Sequence, residues 1–158
     1  MRGRQRDSQR SRLYAWEVAV FRDSALLSPE YRNALGEKEA HDLVAKIWAD
    51  WGMGAETLTR APRVRIMNNR GRGCFDFGRW MILLSGQYEP TRSAWYILHE
   101  TAHAIIHARG GTYLAPHGPE FCAVYASLLG RYTNVSRGTI AHAMRGARIK
   151  VDGRGVTA

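Results

Sequence analysis

Two cysteines and five prolines are few for a chain of 158 residues. Cys74 and Cys122 are too few and too far apart for a CxxC redox pair or a zinc knuckle. Cys122 reads as a buried free thiol. No run of about 18 apolar residues occurs, so no membrane-spanning helix is expected. The arginine-rich N-terminus is not followed by an apolar core and a small-residue cleavage site in signal-peptide order, so a cytoplasmic location is expected. Repeats and low-complexity linkers are also missing. We therefore expect a single domain over 1–158, with 1–6 and 147–158 as tails. Acidic residues are the other shortage: 14 against 23 Lys and Arg, a formal net charge of +9. Such a chain is attracted to polyanions.

Against these absences stands His99-Glu100-Thr101-Ala102-His103, flanked by Trp95-Tyr96-Ile97-Leu98 and Ala104-Ile105-Ile106. No Gly or Pro falls between Ser93 and Arg109, so the stretch reads as one helix. Residues four apart share a helix face, so His99 and His103 can aim their imidazoles at a common atom. Glu100 is turned by roughly 100° about the axis and lies beside the ligands rather than among them. That arrangement suits a zinc hydrolase, with two histidines holding Zn2+ and the glutamate taking a proton from water.

A second stretch, His117-Gly118-Pro119-Glu120-Phe121, follows a short loop. Gly110 can end the first helix in the left-handed conformation. Pro119 suits the first turn of the next helix. Phe121, Val124, Tyr125, Leu128 and Leu129 give that helix an apolar face, with Gly130 as its expected stop. His117 at the loop–helix junction can return onto the first helix as a third ligand, leaving a fourth position open for water. His107 continues the i, i+4 series but lies about 12 Å along the axis from His99, too far to share the ion. Glu120 ranks below His117 as a ligand. It suits the helix dipole or a hydrogen bond to a ligand imidazole.

His-Glu-x-x-His followed by His-Gly-Pro-Glu-Phe resembles the SprT-like or Spartan-like group of zincin metallopeptidases. The resemblance implies His99, His103 and His117 as zinc ligands and Glu100 as general base. The metzincin pattern does not fit, since Ile106 and Arg109 stand where it needs Gly and His. The opening from Arg6 to Glu17 also resembles a family of small metallohydrolases from actinobacteria and their phages.

The remaining chain predicts an α+β fold. Leu13, Trp16 and Val20, widened by Tyr14, Val18 and Phe21, mark a helix that Asp7 or Ser8 can cap. Ser28-Pro29 starts a short helix to Leu35. Ala40, Leu43, Val44, Ile47, Trp48 and Trp51 give the clearest helical stripe, ended by Gly52. Residues 63–67, 74–78 and 80–85 read as three short strands, mainly antiparallel, the last two joined tightly at Gly78-Arg79. Ser136 can cap a last helix ending at Gly146, with a short strand at 149–151 beyond it. The zincin resemblance implies that this small sheet packs with the His-Glu-x-x-His helix and that its edge strand lies along the cleft. An extended peptide could pair with that edge.

These readings combine into a zinc-dependent metallohydrolase, a metallopeptidase by preference, acting on a peptide or protein substrate. Glu100 would move the proton and a further donor would stabilise the oxyanion. Tyr113, Tyr125, Arg131 and His142 are candidates for that donor. Arg63, Arg65, Arg70 and Arg72 form a basic stretch that could contact nucleic acid. The alternative is a non-catalytic zinc protein that binds nucleic acid or acts as a scaffold.

Overall fold

Chain 93–110 folds as the apolar run requires. The computed structural model, which describes residues 7–22, 26–57, 59–111 and 114–152, has a helix α4 over Ala94–Ala108. Its eight buried side chains include Ile97, Leu98, Ala104 and Ile105. Gly110, at φ 80°, takes the left-handed conformation expected of a residue that stops a helix. All of α4 belongs to one compact unit, Glu30–Arg109.

That unit is α+β. After one tight 3-10 turn, Pro29–Arg32, come α2 (Glu37–Asp50) and α3 (Met53–Thr57). The expected helix to Leu35 is only this single turn, and Ala34 instead bridges Ser93. Gly36 occupies the N-cap of α2, where Glu39 Oε2 accepts its N–H at 2.8 Å. Ala40, Val44, Ile47, Trp48 and Trp51 are all buried, as their spacing predicts.

The strands are β1 (Arg63–Met67), β2 (Cys74–Asp76) and β3 (Met81–Ser85), in the order β1-β3-β2. The sheet is mixed rather than mainly antiparallel. β1 runs parallel to β3, with Val64 opposite Ile82, while β2 pairs antiparallel, with Phe75 opposite Ile82. The reason is order: the Asn68–Gly73 link carries β2 to the far side of the place that β3 later fills. Among the described residues, only β2 and β3 form a hairpin. Its turn spans Phe77–Trp80, longer than the expected Gly78-Arg79 link, and Trp80 sits in the left-handed region at φ 54°. Ala40 and Val44 of α2, Val64, Ile82 and Leu84 of the sheet, and Ile97 of α4 form one buried cluster. The sheet thereby fixes α4 and its histidines.

The other unit joins the two ends of the chain, Met1–Pro29 with Gly110–Thr157. Helix α1 covers Arg10–Glu17 and runs on to Arg22 in a wider, π-type turn. Leu13, Trp16 and Phe21 are buried, but Val18 faces solvent. Neither Asp7 nor Ser8 caps the helix: Gln9 holds the N-cap, without a side-chain bond. Helix α5 covers Pro119–Tyr132 and α6 Arg137–Gly146. Ser136 Oγ accepts the Thr139 N–H at 3.2 Å, the expected cap.

Gly130 does not stop α5. It lies inside the helix, where a Cβ would stand 2.5 Å from the backbone nitrogen of Arg137. Glycine is there for close approach to the start of α6. Residues 147–152 carry no strand. They are packed rather than a tail: Ile149 is buried, and Gln9 clamps Lys150 through both backbone groups, at 3.1 and 2.9 Å. The other expected tail residues, 1–6 and 153–158, lie outside the described residues. Among the described residues, no helix is long and apolar enough to cross a membrane.

Candidate metal centre

His99 and His103, one turn apart on α4, face each other with Nε2 atoms 3.2 Å apart. Their ring planes are inclined by 68°. Two nitrogens on one tetrahedral zinc, each at about 2.0–2.1 Å, stand roughly 3.3 Å apart. The separation of the pair is therefore that of two ligands of one ion. His99 is buried and stacks on Tyr96, with ring centroids 6.1 Å apart. The Tyr96 hydroxyl donates to Gly73 O at 2.8 Å. A Cβ on Gly73 would fall 2.7 Å from Leu83 O and 2.9 Å from the Tyr96 ring. Only glycine lets the approach to β2 lie this close to the helix face that carries His99.

Glu100 is buried, and its Oε2 accepts the backbone N–H of Phe75 at 2.7 Å. β3 pairs with β2 on one side only, and Phe75 turns its N–H away from β3 to the carboxylate. The free edge of β2 and the glutamate are thus joined by one hydrogen bond. Nothing in the spacing of Phe75 and Glu100 announces this contact. His107 is no part of the pair. It stacks on exposed Phe77 at 5.5 Å, with Trp80 and Phe75 nearby.

His117 belongs to the other unit, in the turn before α5, and is 4% exposed. Its ring makes T-shaped contacts with Tyr14 and with Phe121, each with centroids 5.2 Å away. Nδ1 meets Asp7 Oδ2 at 2.8 Å, and Nε2 meets the Tyr14 hydroxyl at 3.3 Å. A carboxylate only accepts, so the neutral ring carries its proton on Nδ1 and its lone pair on Nε2. Neither Asp7 nor Tyr14 was expected at a site. The one hint in the sequence is that Asp7 is the only acid among the first twelve residues, which hold five arginines. Of the two roles expected for Glu120, the structure shows the first-turn acid of α5; its Oε2 is buried without a hydrogen-bond partner among the described residues.

The four expected oxyanion donors separate. Tyr113 lies outside the described residues. Tyr125 is fully buried on α5, its ring 5.8 Å from Phe121. Arg131 is exposed, over the ring of Tyr132, and His142 is exposed on α6. Arg63, Arg65, Arg70 and Arg72 are all exposed. Arg63 and Arg65 alternate along β1 with Val64 and Ile66, and Arg70 bonds Gln87 at 3.1 Å.

Both thiols are free. Burial, reinforced by the Glu17 charge, pushes Cys122 up to about 12. Cys74 is exposed, and its thiol is raised by partial burial and then by the charges of Glu100 and Asp76. Neither offers a ready thiolate ligand. Comparison with family models, curated proteins and solved structures finds no match for this chain.

Proposed function

We propose that the protein is a zinc-dependent metallohydrolase of zincin-like design, with peptides or proteins as its preferred substrates. The observation that carries this reading is the 3.2 Å separation of the His99 and His103 Nε2 atoms, with Glu100 next in the chain on a buried helix. His117 is the third ligand in this proposal. Each of the three imidazoles can offer one ring nitrogen, and the Asp7 contact puts the lone pair of His117 on Nε2. A donor set of three neutral imidazoles with one position left open is the chemistry of a catalytic rather than a structural zinc site. When bound, Zn2+ supplies a Lewis acid that polarises a carbonyl and acidifies water.

The chain's own groups do the remaining work. The Phe75 amide holds Glu100 Oε2 and so orients the carboxylate, which takes a proton from water and returns it to the leaving amine. The Tyr14 hydroxyl meets the lone pair that a metal would occupy. With that lone pair engaged, the Tyr14 O–H would be the nearest donor on this side for a developing oxyanion. An extended substrate running beside β2 would put its scissile bond near Glu100.

Exposed Arg60, Arg63, Arg65, Arg70, Arg72 and Arg79 favour a second reading, association with nucleic acid. One experiment separates the two. Peptide hydrolysis and DNA binding are measured for wild type and Glu100→Gln across a salt series. Hydrolysis that disappears in the variant supports the enzyme. Salt-sensitive binding that ignores Glu100, with no hydrolysis in either protein, supports a binding protein.

A further inference from the structure

Asp7 stands on the segment before α1, where an arginine-rich stretch would ordinarily place a solvated acid. Its carboxylate is instead drawn in, with side-chain exposure of 20%. Oδ2 lies 2.8 Å from His117 Nδ1. Oδ1 is buried and has no hydrogen-bond partner among the described residues. The backbone beside it is anchored. Two residues on, Gln9 is buried and bonds both backbone groups of Lys150, at 3.1 and 2.9 Å. The Gln9 amide also reaches Cys122 Sγ at 3.5 Å, and that thiol points to the carbonyl of His117 at 3.8 Å. Asp7 and His117 are therefore tied to one another by side chain and, through Gln9 and Cys122, by a second route.

We propose that Asp7 is a positioning residue for metal: it holds His117 as the Nδ1–H tautomer with Nε2 presented as the ligand. The proposal rests on the reading of His117 as a ligand. A free neutral imidazole exchanges its proton between the two nitrogens. A carboxylate on Nδ1 fixes the tautomer and the ring plane, and makes the opposite nitrogen a better donor to a metal. The N-terminal segment thereby becomes part of the metal centre, although it lies 110 residues from His117 in the chain.

The test uses the full chain as wild type, Asp7→Ala and Asp7→Asn. Two quantities are read: the 15N shifts of the His117 ring in metal-free protein at a pH where the ring is neutral, and Zn2+ affinity by competition with a chromophoric chelator. Asp7→Ala should release the ring into a mixture of tautomers and weaken zinc 10–100-fold, by about the usual effect of removing such a partner. Asp7→Asn keeps an acceptor oxygen of the same shape and should restore the tautomer and part of the affinity. An unchanged ring tautomer in Asp7→Ala overturns the proposal, as does wild-type zinc affinity in that variant. If wild type binds no zinc, the metallohydrolase reading fails and this proposal fails as a statement about metal, whatever the ring shifts show.

Discussion

Phe75 on the edge strand donates its backbone N–H to Glu100 Oε2 at 2.7 Å. That bond orients the carboxylate for proton transfer. Glutamine at this position can accept the same amide through its carbonyl oxygen but cannot take up a proton. Glu100→Gln should therefore fold and bind zinc as wild type does, while hydrolysis falls about 10²–10⁴-fold. Turnover equal to wild type would remove Glu100 as the base.

The Tyr14 hydroxyl, 3.3 Å from His117 Nε2, replaces the four donors expected from sequence as the first to test. Tyr14→Phe keeps the ring that packs against His117 and loses only the O–H. Zinc content should be unchanged and kcat should drop by roughly 10²–10³, the effect of removing one oxyanion donor. A variant with full kcat would show that the hydroxyl serves packing alone.

Thiol chemistry should distinguish the two cysteines. With its thiol pushed up to about 12, Cys122 holds roughly one part in ten thousand as thiolate at pH 8. Cys74 is exposed. One thiol per chain should label in the native protein and two in denaturant, and peptide mapping should place the native label on Cys74. Rapid native labelling of both would contradict the burial of Cys122.

Gly130 makes a prediction about stability alone. In Gly130→Ala the new Cβ would press on Arg137 N at 2.5 Å and on Arg137 Cα at 2.7 Å. Both are backbone atoms at the start of α6, which cannot swing aside. Overpacking of this kind costs about 1–3 kcal/mol. Gly146→Ala is the control, because nothing lies within 4 Å of a Cβ there. Equal denaturation midpoints for the two variants would show that α5 and α6 approach less closely.

What could be read from the sequence was local. The uninterrupted run from Ser93 to Arg109 sets α4, and the i, i+4 spacing sets the His99–His103 pair, because both follow from one helix. Ser136 as a cap and Pro119 as a first-turn residue follow from backbone donors that each helix start leaves over. The misses are contacts between distant segments. Gly130 looks like a helix stop in sequence because its neighbour Arg137 belongs to the next helix. The parallel β1–β3 pair depends on where β2 has already gone. Asp7 reads as a cap within its own helix, yet it is used on His117. No periodicity carries that information.

Metal analysis of the purified chain tests the central claim most directly. Zinc is supplied, excess is removed, and metal per chain is counted for wild type, His99→Ala and His117→Ala, with circular dichroism confirming that each is folded. The account predicts one zinc per wild-type chain and its loss from both variants. A folded wild type that holds no zinc would contradict it, and so would a His117→Ala protein that keeps a full equivalent with undiminished affinity.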